Sequence, residues 1–318
     1  MKKILFFLLF TSLFAGEGVL FYFQDAGELY GLLPVAKSLL EKGVDVQILA
    51  AGTAESLLAK SGEEFLSLHL PVNPADRSQV LSTEEIEKIL AACDPAVFVS
   101  GVAFTCQGQL FTAFGERGVE TVAFWDNFNA DGADLYFKTA HAVEQKAVHL
   151  WISSERLAKS DWFESRKCLF VSGHPSLEKW VEEAASVNKD ALRQKLPLTS
   201  TGRKTAVFIG GYGEAYEEAF ELFLRSIENL DIDFLIQPHP KYSGSIEERV
   251  FARTGLNRAV RILKNEITTL EAIVLSDIVL CHQSTVGFQA LFLQKTGHPY
   301  PSPWPGVHNS SSGIGPLP

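Results

Sequence analysis

Residues 18–50, GVLFYFQDAGELYGLLPVAKSLLEKGVDVQILA, carry the reading that decides the fold. GVLFYF is apolar nearly throughout instead of alternating, as expected of a strand buried on both faces of a parallel sheet. ELYGLLPVAKSLLEKG has helical character and closes on Gly43, a residue suited to the left-handed end of a helix. VDVQILA then returns to a strand-like apolar run. Strand, helix, strand at this spacing is a βαβ unit, and such units build sheets covered by helices on both sides.

The rhythm continues outward. TEEIEKILAAC precedes AVFVSG, QGQLFTAFGERG precedes VETVAFW, AVHLWIS follows, and CLFVSGHPSLEKW ends the series. A polar, helix-prone stretch, VEEAASVNKDALRQKLPLTSTGRK, comes next and reads as a linker. A second βα series then runs from TAVFIGGYG through DFLIQPHP, AVRIL and DIVLCHQ to TVGFQALFLQ. The expected class is α/β, with two Rossmann-like domains facing across a cleft. The expected segments are 1–16 (signal-like or membrane anchor), 17–173 (first domain), 174–204 (linker helix), 205–295 (second domain) and 296–318 (irregular tail). Ligands of open α/β sheets bind beyond the C-terminal ends of the strands.

At 318 residues, with 46% apolar and 21% charged residues, the chain is globular and long enough for two cores. Its net charge of -10 lies in the first half: residues 1–165 hold 12 Lys+Arg against 22 Asp+Glu, leaving 16 against 16 for 166–318. An acidic surface repels phosphate backbones, so nucleic acid is not an expected partner, and a phosphorylated ligand suits the second half. Cys93, Cys106, Cys168 and Cys281 show no metal-ligand spacing and read as reduced thiols. No cleft-side DxD pair is present, which fits a site without a metal ion, and no cofactor is expected.

MKKILFFLLFTSLFAG has the basic start and apolar run of a signal peptide, although Leu13 is large for the residue three before a cut after Ala15. The apolar run resumes at Val19 to Phe23, so membrane contact through residues 1–23 is the other expectation. The first reading exports the protein; the second holds it at the cytoplasmic face of a membrane.

Three loops of the second half carry chemistry. FIGGYGE places Gly210, Gly211 and Gly213 between a strand and a helix, where bare backbone N–H groups reach an anion. Steric need explains such glycines equally well, and Glu214, Glu217 and Glu218 at the helix start oppose a phosphate. In FLIQPHPKYSG, Pro238 and Pro240 hold His239 at a strand end, as a phosphate donor or as part of a rigid turn. In CHQSTVGFQAL, Ser284 and Thr285 follow His282 as helix N-caps, anion ligands or both.

Together these loops resemble the donor domain of GT-B-fold glycosyltransferases. His239-Pro240 with Ser284-Thr285 is similar to the HP and Ser/Thr motifs of bacterial sialyltransferases and CDP-glycerol glycerophosphotransferase-like enzymes, which hold the phosphate of a cytidine nucleotide. FVSGHPSLEKW resembles the interdomain GHP segment of lipid-A-disaccharide synthase and the equivalent turn of UDP-N-acetylglucosamine 2-epimerases, which makes His174 the hinge residue. QDAGELYGLLPVAKSLLEKG is similar to the first loop and helix of the same superfamily. The resemblance implies a nucleotide-sugar or CDP-polyol donor, a glycan or lipid acceptor, and a catalytic base in the first domain. Asp25 is the expected base and Glu28 its neighbour, each alternatively a capping residue of the helix; Asp126 in FWDNFNADG is the reserve. Lys241 and Lys264 are the nearest cations to the diphosphate loop. After ALFLQK a GT-B donor domain supplies another strand and helix, whereas TGHPYPSPWPGVHNSSSGIGPLP shows neither signal and reads as a loose tail on a shortened domain. The expected function is metal-independent transfer of a sugar or polyol phosphate to an envelope glycan or lipid. Epimerisation of UDP-N-acetylglucosamine and inactive ligand binding by an exported protein are the alternatives.

Overall fold

The computed structural model describes residues 18–299, apart from 68, 71–72, 74–75, 133–134, 172, 197, 199–202, 212–214, 240–243, 257–259, 265, 283–285 and 294–295. The chain divides between Ser176 and Leu177 into two compact units.

In the first unit, β1 (Val19–Phe23), β2 (Val46–Ala50), β3 (Leu66–Ser67), β4 (Val97–Ser100), β5 (Glu120–Trp125), β6 (His149–Ile152) and β7 (Leu169–Val171) form one sheet in the order β3-β2-β1-β4-β5-β6-β7. Every pairing is parallel. Its helices are α1 (Ala26–Glu41), α2 (Gly52–Ser61), α3 (Thr83–Ala92), α4 (Thr105–Glu116), α5 (Leu135–Glu144) and the short α6 (Glu155–Ala158). The apolar run of β1 splits by period two: Leu20 and Tyr22 join one core cluster, Val19, Phe21 and Phe23 the other. The sheet is therefore dry on both faces, which explains why its strands do not alternate in sequence.

Val19–Phe23, the last five residues of the stretch expected to contact a membrane, form β1 inside the sheet, and every one is buried. Residues 1–17 lie outside the described residues. No described helix is long and apolar enough to cross a membrane.

Helix α7 (Pro175–Ser186) begins two residues ahead of the division, and the second unit continues with α8 (Lys189–Lys195), α9 (Tyr216–Ser226), α10 (Ser245–Thr254), α11 (Thr269–Leu275) and α12 (Val286–Phe292). Its sheet has the order β10-β9-β8-β11-β12, from β8 (Thr205–Ile209), β9 (Asp233–Gln237), β10 (Val260–Ile262), β11 (Ile278–Cys281) and β12 (Thr296–Pro299). All four pairings are parallel. Again two clusters flank the sheet, Val207 and Ile209 on one face, Ala206 and Phe208 on the other.

The 174–204 segment, expected as a linker helix, holds α7 and α8, and Trp180, Val187, Leu192, Leu196 and Leu198 pack onto the second unit's core. One expectation changes here. The tail read as irregular from 296 begins with a strand: Thr296–Pro299 pairs with Ile278–Cys281. Pro299 is tolerated because β12 is an edge strand, where a missing N–H removes no ladder bond on the open side. Residues 300–318 lie outside the described residues.

Candidate functional site

In the first unit, β1, β4 and β5 are adjacent and parallel, so the residues following them gather at one sheet edge. Asp25 follows β1 after Gln24 and is the N-cap of α1, with its side chain accepting a hydrogen bond from Ala26 N at 2.8 Å. Asp25 Oδ2 also lies 3.6 Å from Arg77 Nη2. Glu28 completes a capping box, accepting from Asp25 N at 2.8 Å and from Gln24 N. Its second oxygen accepts from Gln107 Nε2 at 2.6 Å. The carboxyl is 1% exposed. Burial pushes it up to about 8, against the three N–H donors, which favour the charged form. Gly101, at the end of β4, leaves the space that Glu28 Oε2 occupies; a Cβ there would overlap it. Glu28 is thus a sealed brace between two strand ends, unable to reach a substrate.

Asp126 follows β5 and is half-buried. Tyr136, on α5, donates its hydroxyl proton to Asp126 Oδ1 at 2.7 Å. Desolvation raises the Asp126 carboxyl; the Tyr136 bond opposes that, Asp25 adds to it and Arg77 opposes it. The sequence reading missed Arg77 and Tyr136. The Arg77 guanidinium stands 5.1 Å from the Phe104 ring centre and 4.9 Å from that of Tyr136. It donates to Ala103 O at 3.1 Å, while its own carbonyl accepts from Thr105 N and Oγ1. No motif marks it, because it reaches the edge from a loop ahead of α3 and becomes a neighbour only through folding. His174 stacks on Phe128 at 5.3 Å and meets Phe124 edge-on at 5.5 Å. Burial lowers it to about 4, so the ring is neutral at neutral pH. It lies two residues before Leu177's neighbour Ser176, whose Oγ is 2.7 Å from His174 Nδ1.

In the second unit, the loops singled out in the sequence follow β8, β9 and β11, and these are three neighbouring strands of the sheet. Gly210 and Gly211 follow β8, His239 follows β9 by way of Pro238, and His282 follows β11. Neither glycine has a positive φ, so space, not backbone conformation, selects them. A Cβ on Gly210 would lie 2.7 Å from Glu247 Oε1 and 2.9 Å from both His239 N and Tyr216 Oη. One on Gly211 would lie 2.7 Å from His282 Nδ1 and 2.9 Å from His282 O. Tyr216 donates to Glu247 Oε1 at 2.6 Å in full burial, which raises the phenol. Glu247 Oε2, Gln237 Oε1 and both ring nitrogens of His282 have no hydrogen-bond partner among the described residues. Burial lowers His282, leaving it neutral.

The glycine turn is therefore packed against buried polar groups: Tyr216 of α9, Glu247 of α10 and His282 after β11. Gly213, Lys241, Ser284 and Thr285 lie outside the described residues. Lys264 is paired with Glu248. Glu217, which sequence reasoning set against a phosphate, pairs with Arg249 and Arg253 of α10.

No protein-family model matches the chain, and no curated protein matches it. Solved structures do. A UDP-GlcNAc 2-epimerase from Neisseria meningitidis bound to UDP-GlcNAc aligns over 88% of this chain and 81% of its own, with 14% identity and a TM-score of 0.63. The Methanocaldococcus jannaschii UDP-GlcNAc 2-epimerase in complex with UDP-GlcNAc and UDP aligns over 89% and 83%, with 14% identity and a TM-score of 0.66. A glycosyltransferase from Rickettsia africae aligns over 89% and 79%, with 12% identity and a TM-score of 0.59. At these identities the likeness is one of fold. Two parallel α/β units and these neighbours together show that the chain has the GT-B fold.

Proposed function

We propose that the protein is a GT-B transferase that moves a sugar or polyol phosphate from a nucleotide donor to an envelope glycan or lipid. The observation that carries the reading is the adjacency of β9, β8 and β11, which directs the Gly210–Gly211 turn, His239 and His282 to one edge of the second unit. Gly210, Gly211, Gly213, His239, Lys241, Ser284 and Thr285 are assigned to the leaving nucleotide, whose developing charge they offset. The two solved epimerases named above hold UDP-GlcNAc, which supports a nucleotide-sugar as ligand class.

The acceptor's proton is assigned to Asp126 in place of Asp25. Asp25 already serves as N-cap and ion-pairs with Arg77. Asp126 has a carboxyl raised by desolvation, which strengthens it as a base. Glu28 is left out, since its oxygens are occupied by N–H donors. The reading includes no metal and no cofactor, the donor entering as substrate. It sets the enzyme at the cytoplasmic face of a membrane, held through residues before Gly18, because nucleotide donors are cytosolic.

Thermal-shift titration of the full chain with CMP, CDP, UDP and UDP-N-acetylglucosamine tests this. A ligand at a hundred times its Kd stabilises by about 2.7 kcal/mol. The expected result is a shift with one nucleotide class that disappears in His239→Ala. A protein indifferent to all four ligands refutes the reading and leaves the exported, inactive binding protein.

A second reading, UDP-N-acetylglucosamine 2-epimerisation, is favoured by the placement of Asp25 and Asp126 at one edge. Inverting a sugar carbon requires removing and returning a proton, a task for two acid–base groups that gather at one site. Epimerised sugar formed without any acceptor would select it over transfer.

A further inference from the structure

The first unit places a cation where neither the sequence motifs nor the proposed transfer reaction calls for one. Arg77 is held in a sandwich between Phe104 and Tyr136, at 5.1 and 4.9 Å. Its Nη1 is anchored on Ala103 O, and its Nη2 faces Asp25 at 3.6 Å. Tyr136, one wall of that sandwich, is the residue that donates to Asp126 at 2.7 Å. One guanidinium is therefore in contact with Asp25 directly and with Asp126 through the phenol that orients it. The side chain is only 18% exposed, so water screens it weakly.

We propose that Arg77 is the positioning residue of the first unit's reaction edge, holding the Asp25–Asp126 pair in one geometry and setting the charge state of Asp126. This rests on the assignment of proton transfer to Asp126. The groups facing Asp126 come from every element around it: Asp25 at the start of α1, Arg77 from the loop ahead of α3, Tyr136 on α5, and His174, whose ring bonds to the Asp126 backbone and is uncharged. Asp25 and Arg77 act on Asp126 with opposite signs. Asp25 repels a second negative charge and favours the protonated carboxyl; Arg77 favours the carboxylate. Arg stacks between aromatic faces while offering its edge to an anion, which the flexible ammonium of Lys does not reproduce.

The test reads the titration of Asp126 by carbon-13 NMR of the side-chain carboxyls in the full chain. It also reads the acid limb of kcat/KM for nucleotide-sugar turnover, in the wild type, Arg77→Gln, Arg77→Lys and Asp25→Asn. Arg77→Gln is expected to move both readouts up by about one pH unit, a tenfold loss of kcat/KM on the acid side. Asp25→Asn is expected to move both down, and Arg77→Lys to restore the position in part. Loss of folding cannot produce shifts of opposite sign, so circular dichroism with these paired variants separates a structural from a positioning role. An Asp126 titration unmoved by Arg77→Gln in a folded protein overturns the proposal. Opposite NMR shifts in a protein that turns over no nucleotide sugar uphold the positioning role and reject the transferase reading. Turnover abolished by Asp25→Asn but retained by Asp126→Asn overturns the assignment of the base and the proposal with it.

Discussion

Replacing Glu28 by Gln isolates the effect of a buried acid on stability. Glu28 is 1% exposed, and its carboxyl is raised from 4.5 to about 8, desolvation outweighing the donors Gln24 N, Asp25 N and Gln107 Nε2. Below the lower value both folded and unfolded chains hold the proton. As pH rises toward about 8, the unfolded chain releases it while the folded chain keeps it. The stabilisation is therefore complete at low pH and is lost as pH rises through the folded value, at about 1.4 kcal/mol per pH unit for one proton. Gln carries no such proton. Its amide N–H also points one donor at another, which costs about 1–3 kcal/mol at every pH. Urea unfolding at pH 5 to 8, followed by far-UV circular dichroism, gives both curves. The wild type minus Glu28→Gln difference is expected to fall steadily across that range. A difference that stays level would show that Glu28 is ionised throughout and that the three donors, not burial, govern it.

Phe98→Ala should cost the first unit about 3–5 kcal/mol in urea unfolding, since Phe98 is fully buried and packs on Phe114 at 4.5 Å and Phe111 at 5.4 Å. A loss under about 1 kcal/mol would mean that the site collapses on itself. Gly211→Ala sets a Cβ 2.9 Å from the backbone oxygen of His282, which cannot swing aside as a side chain can. It should weaken nucleotide binding at least tenfold in the thermal-shift titration while leaving the urea midpoint of the first unit unchanged; unaltered binding would detach the glycine turn from the nucleotide.

The repeated βα pattern was legible because a parallel strand buried on both faces is apolar nearly throughout, as Val19–Phe23 and Ala206–Ile209 are. The helix start at Asp25 was legible for a local reason as well: a capping box is a contact between residues three apart. That reading left open whether Asp25 and Glu28 cap or catalyse. Packing separates the pair, since Glu28 alone is sealed under Gly101 and Gln107. The strand Thr296–Pro299 was missed because its pairing with β11 is a long-range backbone contact, and a Pro/Gly-rich edge carries no apolar signature. The helical character of 174–204 was legible, whereas the packing of α7 and α8 was not, because only the core they cover gives their few apolar residues a face.

The residue order alone determined that this chain forms two series of parallel βα units and that its candidate loops sit at strand ends, because burial and turn chemistry act over a few neighbouring residues. Only the tertiary structure decided that β9, β8 and β11 lie side by side and that Glu247 and Tyr216 fill the space beside Gly210. It alone decided that Arg77 stands between Phe104 and Tyr136 beside two carboxylates. Strand order and through-space electrostatics depend on contacts between residues far apart in the chain, and no local pattern encodes which distant side chain will arrive.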